Sequence, residues 1–510
     1  MKTCKTPLLI GWAQIDITPD RPVFLAGQIY KRVSKYVHDP ITATALALEN
    51  GGDQVVFVSL DTVCVPKLAV SLAKQRLKGL DGLDVEKITC NATHTHNSSG
   101  FGREVFEMDQ PVGDQTTSVI DRLLPPDIQP AIDIPDNILD GVEAAEYLAE
   151  KLETLITEAW TSRAPGAMAA AQDYAAVAFN RRPVFLLEDG TYESKMYGTC
   201  SQDNFVGLEG ASDHTADMLY TFDEAGHLTG VAVDIPCPSQ VMELHYFISA
   251  DYWTPARRQI RERLGDHLYV LPLCGAAGDQ NPLDLIRISK NNVEELREWN
   301  AQAGAVFRNL DMGLECEDIG DRIAEAVARG FRKAKNNRNS HAAVEHRVLT
   351  LDLPLRQVSR AEFNEAMALI EALRLRFTPD HRMQWSDYVA AFEPLGVATR
   401  WYAQQESTIY RCPVHVLRIG DVSIATNPFE LFVEFGMRLK ARSPSQQTFL
   451  IQLSNDNGDY LPTQRAIEGG SYSSKPASTL CGPDSGTELV ERTLEALRAL
   501  WESSSPETRA

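Results

Sequence analysis

The stretch Cys90-Asn-Ala-Thr-His-Thr-His-Asn-Ser-Ser-Gly100 places His94 and His96 two residues apart, directly after a short strand-like run. Side chains alternate faces along extended backbone, so the two rings point the same way. A neutral imidazole binds metals, and histidine also exchanges a proton near neutral pH. One ring can therefore hold a metal while the other meets substrate. The same residues can equally be a turn cap and a buried, hydrogen-bonded ring, because the spacing alone is a weak signal.

Working outward, five short β-branched or aliphatic runs read as strands: 54–61, 87–92, 268–273, 422–426 and 448–453. Amphipathic helices lie between them. Leu148, Leu152, Leu155 and Ala159 share a face, as do Ile319, Ile323 and Val327, and Val490, Leu494, Leu497 and Trp501. This alternation predicts an α/β or mixed α+β fold, with helices covering central sheets. The expectation is one domain over 1–505, with a helical insertion at about 357–408. The Pro- and Asp-rich stretch at about 107–140 reads as a long irregular loop, a candidate lid.

Composition bounds the function. The chain has 510 residues and a net charge of -21, which argues against nucleic acid or an anionic membrane as a partner. A small-molecule substrate fits, and homo-oligomerisation stays open. No run of ~20 apolar residues is present, so no membrane span is expected. Nine scattered cysteines without a Cys-x-x-Cys pair suit a reducing compartment. A cytoplasmic location is the expectation.

The strand-like runs end in polar clusters: Asp61-Thr62, the His94 loop, Cys274 to Pro282, Asn427 to Glu430, and Ser454 to Thr463. If the strands lie parallel, those ends share one rim, where open α/β sheets bind ligands. Histidine, carboxylate and phenol at one rim suit metal-assisted hydrolysis. Glu430 follows Asn427-Pro428 and reads either as a ligand or as a first-turn helix glutamate. Arg181 and Arg182 can present a guanidinium fork to substrate or form internal salt bridges. Trp253, Trp385 and Trp401 can stack on a sugar or fill the core.

Ile15-Asp-Ile-Thr-Pro19, Leu60-Asp61, Asn91-Ala-Thr-His-Thr-His96, Ala277-Gly-Asp279, Tyr460-Leu-Pro-Thr463 and Gly469-Gly470 follow one another in the order found in neutral/alkaline ceramidases. The chain resembles that family from about residue 8 to about 500, without a counterpart of its C-terminal immunoglobulin-like domain. The resemblance implies a ceramidase-like catalytic domain and a Zn2+ cofactor or another divalent metal. It assigns His94, Glu430 and Tyr460 as metal ligands and puts His96 beside the substrate. Cys237 stands where the family has a further histidine ligand; a thiolate there can bind zinc, and a small buried thiol is the alternative. His245 lies nearby. Asn281 stands where the family carries a catalytic serine; it can donate a hydrogen bond but cannot ionise.

The expectation is a zinc-dependent, amidohydrolase-like enzyme acting on a small polar substrate, amino-sugar or carbohydrate-derived, rather than on ceramide. Its catalytic residues would be His96, Asp279 and Asn281, and its substrate residues Arg181, Arg182 and Gln280. The alternatives are a metal-dependent glycoside-cleaving enzyme and a non-catalytic ligand-binding relative.

Overall fold

The computed structural model describes residues 6–102, 119–289 and 312–502. Its centre is an eight-stranded sheet in the order Tyr269–Cys274, Leu228–Ile235, Thr215–Asp223, Ala164–Tyr174, Leu8–Asp16, Thr42–Asn50, Asp53–Leu60, Ile88–Ala92. A second sheet of four strands runs Val344–Pro354, Ile409–Ile419, Val422–Thr426, Gln447–Ile451. The fold is mixed α/β with helices on the sheet faces. The long helices follow the apolar periodicity: Gly141–Thr161 buries Leu148, Leu152, Leu155 and Ala159, and Met312–Ala334 buries Ile319, Ile323 and Val327.

The strands do not form a single parallel row. Most neighbouring pairs are antiparallel. Parallel pairing occurs at the two edges of the large sheet, between Leu228–Ile235 and Tyr269–Cys274 and between Asp53–Leu60 and Ile88–Ala92. It recurs in the small sheet between Val422–Thr426 and Gln447–Ile451. Pro272 is tolerated within its strand because that strand is an edge and needs no second row of N–H donors.

The strand ends nevertheless converge, by a different route. The segment after Ile451 joins both edges of the large sheet. The Gln452 N–H donates to the Cys274 carbonyl (2.9 Å), while Ala92 N–H donates to Leu453 O (3.2 Å) and Asn455 N–H to Cys90 O (2.9 Å). The buried Gln452 carbonyl oxygen Oε1 accepts from Ala277 N (3.0 Å) and Leu431 N (3.0 Å). One glutamine thus ties the Gly278 turn to the Glu430 segment. Buried amides rarely go unpaired, so these bonds fix the relative position of three loops.

The helical stretch expected at about 357–408 holds two helices, Arg360–Arg374 and Trp385–Glu406. A Ser359/Glu362 capping box starts the first. Their apolar faces, Ile370, Tyr388 and Leu395 among them, pack with Ile120, Leu124 and Ile128. The end of the Pro-rich stretch is therefore folded against this pair; its residues 107–118 lie outside the described residues. Trp253 is a core residue, Trp385 edges onto Tyr388, and Trp401 stacks on Phe363.

Candidate metal centre and active site

The strand Ile88–Ala92 ends and the chain turns at once, with Thr93 N–H donating to Leu60 O and His94 N–H to Thr62 O. Below this turn the fully buried Asp61 carboxylate is gripped by Arg257 at 2.8 and 2.9 Å and accepts from Thr42 and Thr93. Removing one partner of such a buried pair typically costs about 3–5 kcal/mol, so the clamp sets the loop. His94 itself has φ 65°, left-handed for a non-glycine residue. Tyr197, Leu453, Asn455 and Asp459, all in loops around it, share that conformation. Such strain gathers where surrounding structure overrides local preference, commonly at functional sites.

The two histidine rings meet edge to face, 4.8 Å between centroids, with Nε2 of each 3.3 Å from the other. His94 Nε2 is also 3.3 Å from Glu430 Oε2. His94 Nδ1 lies 2.6 Å from the Val63 carbonyl oxygen, which only accepts, so Nδ1 carries the hydrogen and Nε2 faces the cluster. Burial disfavours the charged ring of His94, but the Glu430 carboxylate outweighs it and holds the pKa at about 10. Burial works against the Glu430 charge, yet His94 and Arg181 keep its carboxyl below the usual range. Without a metal, the corner is a buried ion pair.

Glu430 and Tyr460 are register partners in a two-residue parallel ladder, Glu430–Leu431 with Tyr460–Leu461. Backbone pairing thus sets carboxylate beside phenol. Burial pushes the Tyr460 hydroxyl well up, against the pull of Arg181, whose Nη2–H donates to it at 3.0 Å. Arg181 also bonds Gly278 O (2.9 Å), while its buried Nε–H has no partner.

Asp279 acts as a brace. Its two oxygens accept from Val433 N (2.8 Å) and Asn180 Nδ2 (2.9 Å), and burial lifts its pKa to about 6. Gln280 is fully buried and donates to Ala211 O. Asn281 Nδ2 donates to the Tyr197 hydroxyl (2.8 Å), as does Gln240 Nε2 (2.7 Å). Two expected residues, Arg182 and Cys237, do not join the cluster, and neither does His245, the alternative to Cys237. Arg182 is fully buried, clamped on Glu209 at 2.8 and 3.0 Å and on the carbonyls of Gly470 and Tyr472. Its donors are used inside the protein, so it supports the loop at 470–473 instead of forming a substrate fork. The Cys237 thiol donates to Val177 O (3.1 Å) within the main core, and burial raises its pKa well above the ordinary thiol value. That favours the small-buried-thiol reading over a thiolate. His245 is exposed and stacks on Phe247 at 4.8 Å.

Sequence reasoning missed Glu243. Its Oε2 lies 3.1 Å from His96 Nδ1 and accepts from Gln28 Nε2 (3.0 Å). The one clue was that Glu243 is the single carboxylate between Asp234 and Asp251. Exposure rises from His94 (3%) and His96 (8%) to the Glu243 side chain (21%) and Tyr197 (36%), so the corner opens on that side.

Among the described residues, no three histidine, cysteine, aspartate or glutamate side chains are already gathered to hold a metal ion. The pairwise edges fit one. Ligand atoms on a tetrahedral zinc, at about 2.0–2.1 Å, lie about 3.3 Å apart, which matches both contacts of His94 Nε2.

The architecture is a ceramidase-like fold. Over 98% of this chain, it superposes on the crystal structure of neutral ceramidase from Pseudomonas aeruginosa, with a TM-score of 0.66, 17% identity and 75% of that chain covered. A structure described as ceramidase complexed with C2 matches with a TM-score of 0.64, 16% identity, and 98% and 76% of the two chains. No protein-family model and no curated protein matches the sequence. At such identities the likeness establishes the fold. Among the described residues, no helix is long and apolar enough to cross a membrane.

Proposed function

We propose that the protein is a metal-dependent hydrolase, amidohydrolase-like, that cleaves an amide or related bond in a small polar substrate. The observation that carries this reading is the meeting of His94, Glu430 and Tyr460 beside Arg181 in one buried corner. Solved structures of the same fold are described as ceramidases, which supports a hydrolase. His94 Nε2, Glu430 Oε2 and the Tyr460 hydroxyl are the atoms that would hold zinc or another divalent metal. When bound, the metal would supply a water ionised near neutral pH and polarise the scissile carbonyl.

The chain's own residues do the rest. Arg181, with a free Nε–H and full charge, is placed to stabilise an oxyanion forming near Tyr460. Gln240 and Asn281 hold the Tyr197 hydroxyl inside, while the partly exposed Glu243 carboxylate gives this side a charged rim. That rim favours a polar, amino-sugar-like or carbohydrate-derived substrate over a lipid. The eight described cysteines are free and buried, which suits a reducing, cytoplasmic setting.

The test is a hydrolysis screen of N-acyl amino sugars, other small amides, esters and glycosides, with and without chelator. Chelator-sensitive release from an amide is the expected result. A zinc-loaded protein inert on the whole panel would overturn the reading.

A further inference from the structure

We infer that His96 is itself a ligand of this metal, with Glu243 as the carboxylate that orients it. The inference rests on the metal reading above and changes its ligand set.

The Val63 carbonyl requires the hydrogen of His94 on Nδ1. On His96, Nδ1 faces the Glu243 carboxylate at 3.1 Å, so its hydrogen belongs there too. As neutral rings both Nε2 atoms would turn lone pairs toward each other across 3.3 Å; without a metal, the proton that Glu430 holds on His94 Nε2 answers them, and a metal ion takes that proton's place. Two facing lone pairs repel unless a cation lies between them. A histidine whose far nitrogen donates to a carbonyl or carboxylate is the usual arrangement of a metal-bound imidazole. The 3.1 Å contact between His96 Nδ1 and Glu243 lies off hydrogen-bond alignment, so the facing carboxylate charge, not a formed hydrogen bond, sets this tautomer.

His96 has little freedom to turn elsewhere. A Cβ on Gly27 would sit 2.5 Å from His96 Cγ, so the ring fills the space that this glycine leaves. Arg32, fully buried, donates to the His96 carbonyl (2.6 Å) and to the Glu243 carbonyl, fixing the two residues relative to each other. His96 N–H donates to Ser239 O (3.3 Å). The Cys237 thiol is engaged with Val177, so a second nitrogen from His96 completes a set that would otherwise lack one.

X-ray absorption at the zinc edge of the zinc-loaded wild-type protein reads this directly and needs no variant. Two imidazoles and no sulfur are expected. One imidazole with a sulfur at about 2.3 Å would overturn the inference and leave the metal reading standing. A wild-type protein that takes up no zinc would overturn both. Zinc titration of Glu243→Gln, checked for an unchanged unfolding midpoint, should show affinity about 10–100-fold weaker. Affinity within twofold of wild type would remove Glu243 from the account.

Discussion

Among the described residues two buried histidine pairs form, and their difference shows what makes one a metal-site candidate. His346 and His415 meet through Nε2 and Nδ1 at 2.9 Å, and His346 Nδ1 faces the Gln54 carbonyl at 3.0 Å. Hydrogens there run in one direction: His346 donates to Gln54 and accepts from His415. Every facing atom has a complement, so the pair is complete as two neutral rings. Burial drives both pKa values down, that of His346 to about 4. In the pair His94 and His96, an acceptor behind each Nδ1 sets the two Nε2 atoms face to face with the Glu430 carboxylate beside them, a corner that needs a proton or a metal ion between its acceptors. Acceptors behind the rings, and not the rings themselves, decide which pair calls for a cation.

Breaking the first pair should give the largest effect. His94→Ala should lose zinc binding by more than the about 10–100-fold that an outer hydrogen bond is worth, and hydrolysis with it. Equilibrium dialysis checks this, and His346→Ala should bind zinc like wild type. Equal zinc loss in both variants would erase the distinction.

His346→Ala should instead cost stability. It strands the Gln54 carbonyl and the His415 Nδ1–H in the interior, a loss of about 1–3 kcal/mol before any cavity effect. The urea unfolding midpoint should fall accordingly, and an unchanged midpoint would show that the pair is not structural.

The same pair sets a pH response. The folded pKa of His346, about 4, lies below the ordinary histidine value of 6.5, so the unfolded chain binds more protons between the two. Stability from this group is full above pH ~6.5 and is lost as pH falls through about 4, by at most about 1.4 kcal/mol per pH unit. Unfolding curves at pH 7, 6 and 5 should show the difference between wild type and His346→Gln shrinking as pH falls. A constant difference would contradict it.

The smallest effect should come from Gly27→Ala. The residue has φ 95°, and the added methyl meets the His96 ring. Backbone strain of about 1 kcal/mol and a several-fold loss of zinc affinity are expected. Calorimetric titration checks the second; unaltered affinity would mean that the ring position does not matter.

Much of this was legible in the sequence, for physical reasons. Gly141–Thr161 and Met312–Ala334 show because one face of a helix must be apolar. His94, Glu430 and Tyr460 lie in polar runs after β-rich segments, but the ceramidase resemblance, not their spacing, singled them out as a set. Ala164–Tyr174 and Thr42–Asn50 do not show, since alanine is a poor strand former and both faces of these central strands are covered. Gln452 and Glu243 were invisible for another reason. Gln452 acts by bonding the backbones of two distant loops, and Glu243 by facing a ring 147 positions earlier, and neither leaves a local period. The neighbouring arginines make the same point: Arg181 and Arg182 look alike in sequence, yet one reaches Tyr460 and the other is sealed against Glu209.

The most direct measurement is anomalous scattering at the zinc edge from crystals of the zinc-loaded protein. A single strong peak is predicted within about 2.0–2.2 Å of His94 Nε2 and a Glu430 oxygen, with none at His346 and His415. No peak at His94, or one at the other pair, would contradict the account.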